Sequence, residues 1–173
     1  MWGGWCDFSR NRRNFATAME VSIKTFDQLS ASELYDIMQA RFRVFVLEQH
    51  IEYLDPDGVD RDAIHVCFRD EAGAVVAYLR VIPAGKHLDH VSIGRLLTLR
   101  RHQGLGRQIM LDGMRVAIDM LRATVIEIDA QLYIKDLYTG MGFVEQGDIF
   151  MEAGIEHVKM FYHVQGSQSE LKS

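Results

Sequence analysis

Apolar residues recur along this chain with two periods, and the switch between them lays out the elements. Val21 to Phe26 alternates as a short strand. Ser30-Ala31-Ser32-Glu33 has the form of a capping box, with Ser30 as the cap and Glu33 reaching back. Leu34, Ile37, Met38, Arg41 and Phe45 then fall on one broad helical face. An arginine on that face either snorkels or holds something. Ile64 to Phe68 and Ala74 to Ile82 read as two strands around the turn Asp70-Glu71-Ala72-Gly73. Ile93, Leu96, Leu97 and Leu99 mark a central strand. Beyond a glycine turn, Leu105, Ile109, Met110, Met114, Ala117, Ile118 and Leu121 follow at helical spacing to about Arg122. Thr124 to Ile128 is short and β-branched, as a buried strand should be. A strand, helix and strand joined this way imply a parallel pair with a right-handed crossover. Gln131 to Met141 reads as a shorter helix stopped by Gly142. Phe143 to Met151 and His157 to His163, linked by Glu152-Ala153-Gly154, read as a closing hairpin.

Length and composition narrow the setting. The 173 residues suit one domain with a substantial core, placed at residues 19–164. Residues 1–18 lack periodicity and crowd Arg10, Arg12 and Arg13, so they read as an N-terminal extension. Residues 165–173 are polar and read as a flexible tail. A net charge of −5 argues against generic nucleic-acid binding, while 14 arginines against 5 lysines point to local anion sites. No apolar run approaches the roughly 20 residues a membrane helix needs. Cys6 and Cys67 are too few for a disulfide framework or a cysteine metal site, which makes a cytoplasmic setting the expectation. The loop from Asp55 to Asp62 opens with Asp-x-Asp-Gly like a calcium loop. It lacks the helix-loop-helix frame and the terminal glutamate, so no metal is expected.

The central strand runs into Arg100-Arg101-His102-Gln103-Gly104-Leu105-Gly106, a basic turn that opens a helix. Glycines let the backbone approach an anion closely, and a helix N-terminus offers unpaired N–H groups and a favourable dipole. Arg107 adds another cation. The turn is not a P-loop, because Gly106 is followed by Arg107-Gln108 rather than Lys-Ser/Thr. It is not a dinucleotide fingerprint, because Ile109 stands where a third glycine is needed.

Arg101-x-x-Gly104-x-Gly106 resembles the Arg/Gln-x-x-Gly-x-Gly turn by which GNAT acetyltransferases hold the pyrophosphate of acetyl-CoA. Leu137-Tyr138-Thr139-Gly140-Met141-Gly142-Phe143 resembles the Tyr-x-x-x-Gly-Phe of the same superfamily, in the right order across the βαβ unit. A narrower match covers nearly all of residues 19–164. Arg41-Phe42-Arg43-Val44-Phe45-Val46-Leu47-Glu48-Gln49 is similar to the signature of ElaA-like acetyltransferases. So are the acidic loop leading to His65, Ile93-Gly94-Arg95, Ala130-Gln131 and Gly154-Ile155-Glu156-His157. The resemblance implies an α/β (α+β) fold with a mixed, mostly antiparallel sheet. Its central parallel βαβ unit should splay to hold CoA, with helices on both faces. One departure is a link about two residues shorter than usual before the glycine turn, so either Arg101 or Gln103 occupies the first motif position.

The implied reaction moves an acetyl group from acetyl-CoA, the cosubstrate, to a primary amine of a small-molecule acceptor by direct attack. The resemblance places the donor grip at Arg101, Gln103, Gly104, Leu105, Gly106 and Arg107, and pantetheine contacts on the main chain of Leu96, Leu97, Thr98 and Leu99. The same strand would supply the oxyanion hole. Tyr138 occupies the position of the proton donor to the leaving thiolate; a phenol near ~10 suits a thiol near ~8.5. For the general base, Glu48 follows the helical signature, and Glu127 stands opposite to Ile126 and Ile128 along its strand. His65, His157 and a water chain are further candidates. Arg41, Arg80, Arg95 and Phe45 belong to the acceptor side, the arginines either receiving an anionic group or pairing with Asp57, Asp60 or Glu127. A homodimer is compatible with this picture.

Two other functions fit part of the pattern. Acyl-homoserine-lactone synthases share an Arg-x-x-x-Phe helix, two aspartates in the following loop and paired arginines on two strands. Ser92 stands where that family carries a glutamate, and the glycine turn is not typical of it. A non-catalytic acyl-CoA-binding protein would keep the turn and dispense with Tyr138.

Overall fold

The computed structural model describes residues 19–52 and 54–165. The extension expected at 1–18 and the tail beyond Gln165 lie outside the described residues. β1 (Glu20–Thr25), β2 (Ile64–Arg69), β3 (Val75–Ile82) and β4 (Val91–Thr98) form an antiparallel run. β5 (Val125–Gln131) pairs parallel with β4, and β8 (Ile155–His163) pairs antiparallel with β5. Two short strands, β6 (Val144–Glu145) and β7 (Phe150–Glu152), complete the sheet against β8. The sheet is mixed and mostly antiparallel, with a helix on each face.

Helix α2 (Leu105–Asp119) buries Leu105, Ile109, Met110, Met114 and Ala117 against the β-branched face of the sheet. Gly113 allows the close approach, since a Cβ there would stand 2.9 Å from a Leu79 methyl. On the other face, α1 (Ala31–Arg41) packs in a smaller cluster with Cys67, Val75, Tyr78 and Leu97. Ser30 caps α1 as its sequence predicts: Glu33 N–H donates to Ser30 Oγ, and Ser30 N–H donates to Glu33 Oε2 at 2.9 Å.

Four local expectations change. The helical face predicted through Phe45 stops being α-helical at Arg41 and continues as a π-helical stretch, Phe42–Glu48. The wider turn buries Val44 and leaves Phe45 half-buried at the edge of a cavity. The helix expected over Gln131–Met141 is one 3-10 turn, Leu132–Ile134, followed by the five-residue α3 (Lys135–Thr139). Gln131 is still held in β5 opposite His157, and the helix ends at Thr139, with Gly142 at φ 93 closing the turn that follows. The strand expected over Phe143–Met151 is broken between β6 and β7, with Gly147 at φ 88 in the interruption. Finally, β4 carries a bulge. Arg80 pairs with Gly94 but Tyr78 with Leu97, and Arg95 takes up the extra residue at φ 55.

Candidate active site

β4 and β5 are joined only at Val91–Ile126 and Ser92–Glu127, and then part. The bulge at Arg95 falls just beyond that point. Leu99 N–H donates to Val76 O on β3 at 2.8 Å, so the two-residue alternation turns the Thr98 and Leu96 main-chain groups the other way, toward the gap. Leu97 itself is buried toward α1. The gap opens into a cavity of about 150 Å³, bounded by Phe45 and Asp55 on one side and by Ile134, Tyr138 and His157 on the other.

The glycine turn stands at the end of β4. His102 has φ 60, and Gly104, the residue before α2, has φ 72. No side chain caps α2, so its first N–H groups are free for an anion. Gly106 faces Thr98 and Leu137 at ordinary contact distance. Arg107 Nη1 reaches Gly140 O at 3.4 Å, Arg100 pairs with Asp70, and Arg101 Nη2 pairs with Glu48 at 2.5 Å. Gln103 is exposed in the turn.

Tyr138 lines the cavity from α3, its ring edge-on to Phe143. Burial pushes its phenol above the ordinary range, so the hydroxyl stays protonated. Glu48 and Glu127 lie elsewhere. Glu48 is solvent-facing between Arg43 and Arg101 and does not line the cavity. Glu127 is buried and held by Lys159 Nζ at 2.7 Å and His90 Nδ1 at 3.1 Å. Burial opposes its charge, but those hydrogen bonds prevail and lower its pKa.

The three arginines expected on the acceptor side are turned onto carboxylates. Arg41, 0% exposed, donates to Asp55 Oδ2 at 2.7 Å and to Asp60 Oδ1 at 2.6 Å. Arg80, 1% exposed, donates to both Asp57 oxygens and to Asp60 Oδ1. Arg95 donates to Asp55 Oδ1 at 2.8 Å and Asp57 Oδ2 at 3.2 Å, with its guanidinium 6.0 Å from the Phe45 ring centre. Burial would raise the Asp57 carboxyl, but the hydrogen bond and charge of Arg80 outweigh it and hold it at about 2. Asp60 is lowered in the same way, by Arg41 first. This network pins the acidic loop to the sheet.

The two histidines differ. His65 uses both nitrogens, Nδ1 with the Tyr78 hydroxyl at 2.8 Å and Nε2 with Asp60 O at 3.0 Å, and burial keeps it neutral. Donating to Asp60 O requires the proton on Nε2, so Nδ1 accepts from Tyr78. His157 bonds Ile155 O through Nδ1 at 2.9 Å and stacks on Phe150. A carbonyl partner requires the proton on Nδ1, which leaves Nε2 as an acceptor in a residue that lines the cavity. Sequence reading missed Ser92, Asp129 and Gln131, which also line the cavity. The signal was present: Glu127, Asp129 and Gln131 alternate with the buried Ile126, Ile128 and Ala130.

A splayed parallel pair beside an uncapped, glycine-led helix is the geometry the two motifs imply. A family model described as an acetyltransferase (GNAT) domain matches residues 17–164. The chain belongs to the GNAT acetyltransferase family. Within it the chain is ElaA-like: it is 32% identical over 139 residues to ElaA of Escherichia coli, covering 77% of this chain and 89% of that one. The crystal structure of that ElaA superposes with a TM-score of 0.78 at 28% identity, covering 84% of this chain and 99% of that one. An acyl-CoA N-acyltransferase from Pseudomonas aeruginosa matches with a TM-score of 0.78 at 32% identity, covering 83% and 99%. The acyl-homoserine lactone synthase BjaI is 16% identical with a TM-score of 0.69 over 84% of this GNAT chain and 83% of its own, a likeness of fold. Among the described residues no helix of this GNAT protein is long and apolar enough to cross a membrane, and no cluster of His, Cys, Asp and Glu could hold a metal ion.

Proposed function

We propose that this protein is an N-acetyltransferase that moves an acetyl group from acetyl-CoA to a primary amine of a small acceptor. The observation that carries the reading is the cavity where β4 and β5 part, with a buried Tyr138 on its wall and an uncapped α2 at its donor end. The diphosphate of the cosubstrate suits the first N–H groups of α2 from Leu105 to Arg107, with Arg101 released from Glu48 or Gln103 beside it. The main-chain groups of Leu96 and Thr98, turned to the gap, suit the amides of the pantetheine arm.

The acetyl thioester supplies an electrophilic carbonyl. His157 Nε2 takes the proton that the attacking amine sheds as its nitrogen bonds to that carbon, a role better suited to it than to the ion-paired Glu48 or Glu127. A main-chain N–H of β4 stabilises the resulting oxyanion, at about 3 kcal/mol per donor. Tyr138 gives its phenolic proton to the thiolate as the C–S bond breaks, and a proton returns to it from solvent. Arg41, Arg80 and Arg95 shape the acceptor side by holding the acidic loop in place.

Release of free thiol from acetyl-CoA in the presence of an amine panel tests the reading. Tyr138→Phe should lower kcat while acetyl-CoA still raises the melting temperature. A chain stabilised by acetyl-CoA that releases no thiol with any amine would be an acyl-CoA-binding protein instead.

A further inference from the structure

The open face of the sheet carries polar groups that the folded chain does not satisfy. Ser92, 2% exposed, and Arg80 both line the cavity, yet Ser92 Oγ and Arg80 Nε have no hydrogen-bond partner among the described residues. Asp129 Oδ1 is in the same position: Lys159 Nζ stands 3.2 Å away, near enough to attract but not directed as a hydrogen bond. A buried polar atom left unpaired costs stability, so Ser92 Oγ and Arg80 Nε, together with a carboxylate whose lysine is shared with Glu127, mark a surface built for a ligand.

The register places these groups in a row. Ser92 pairs with Ile82 on β3, which makes Arg80 its diagonal neighbour. On the other side Ser92 pairs with Glu127 of β5, and Asp129 is the next residue on that face. Asp129 pairs with Lys159, so His157 lies diagonally beyond it. The sequence across the face is therefore Arg80, Ser92, Asp129, His157.

Charge differs between the ends of the row. Arg41, Arg80 and Arg95 are matched by Asp55, Asp57 and Asp60, so the Arg80 end offers a donor without net positive charge. At the other end one lysine, Lys159, serves both Glu127 and Asp129. That end favours a cation. The Arg80 end suits a neutral oxygen and gives a carboxylate no net attraction.

We propose that the acceptor is a vicinal amino alcohol, its ammonium received by Asp129 beside His157 and its neighbouring hydroxyl by Ser92 Oγ and Arg80 Nε. This assignment rests on the N-acetyltransferase reading. Asp129 and Ser92 position the nitrogen; His157 Nε2 takes one ammonium proton and passes it to solvent, which frees the lone pair, and takes a second as the nitrogen bonds to the thioester carbon.

Ethanolamine and propylamine are nearly isosteric and differ in the hydroxyl, while glycine carries a carboxylate in place of the hydroxymethyl group. With the full chain and acetyl-CoA, kcat/KM for ethanolamine should exceed that for propylamine and for glycine by about tenfold or more. Ser92→Ala should move the ethanolamine-to-propylamine ratio toward one. Asp129→Asn should raise KM for ethanolamine several-fold while the melting shift given by CoA is unchanged. Turnover with propylamine or glycine equal to or better than ethanolamine overturns the acceptor assignment and leaves the acetyltransferase reading standing. If no amine is acetylated although CoA binds, the acetyltransferase reading fails. Thermal shifts of the CoA-bound protein then decide the site: equal stabilisation by ethanolamine and propylamine overturns the assignment, and a larger shift with ethanolamine upholds it.

Discussion

Two polar clusters share one face of the sheet, and they are built to opposite rules. Around Asp60, three arginines and three aspartates meet, His65 spends both ring nitrogens, and carboxylates answer nearly every donor. Along the same face, Ser92 Oγ and Arg80 Nε have no hydrogen-bond partner among the described residues, Asp129 shares its lysine with Glu127, and His157 bonds through Nδ1 and turns Nε2 to the cavity. The first cluster is closed and spends its polarity on the fold. The second is open and holds its polarity for a ligand. Counting charged residues would not separate them; following each donor to its acceptor does.

The largest expected effect comes from opening the closed cluster. Asp60→Ala leaves Arg41 and Arg80 buried with a partner removed, and should cost about 3–5 kcal/mol in urea unfolding. A loss under about 1 kcal/mol would break the contrast between the clusters. On the open side Tyr138→Phe should lower kcat by about 10²–10³, roughly 3–4 kcal/mol, in the thiol-release assay with little change in unfolding free energy. Acid titration sharpens the same contrast. The folded-state pKa of Asp57 is depressed to about 2, so its stabilising contribution is complete above the usual carboxylate range and disappears as pH falls from about 4 through 2. That shift is worth about 2 kcal/mol, and Asp57→Asn should flatten the fall in unfolding free energy over this window. The smallest effect is at the frame: Ser30→Ala removes the cap of α1, the helix that carries Arg41, and should cost about 1 kcal/mol in the same assay.

Much of the frame was legible because periodicity is local. The capping box, the strand leading into the glycine turn, the long apolar stripe of α2 and the β-branched run after it are all where their spacing puts them. What escaped depends on distant partners. The π-helical stretch after Arg41 and the bulge at Arg95 both arise where an arginine is drawn to Asp55, and no local pattern announces that pull. The motifs singled out Tyr138 and the glycine turn, yet they left the arginines divided between ligand and ion pair. Only tertiary contact distinguishes a guanidinium facing two carboxylates from one facing a substrate. Asp129 is readable from alternation along β5, but so is Glu127, and what sets them apart is that the Glu127 partners Lys159 and His90 lie 32 and 37 residues away.

The central claim is that the parted strands and the start of α2 together seat acetyl-CoA. A crystal structure of the protein soaked with CoA tests it most directly. The account predicts the diphosphate on the N–H groups of Leu105 to Arg107, the arm along Leu96 to Thr98, and the sulfur beside the Tyr138 hydroxyl. CoA bound away from the mouth of α2, or absent from the crystal at saturating concentration, would contradict it.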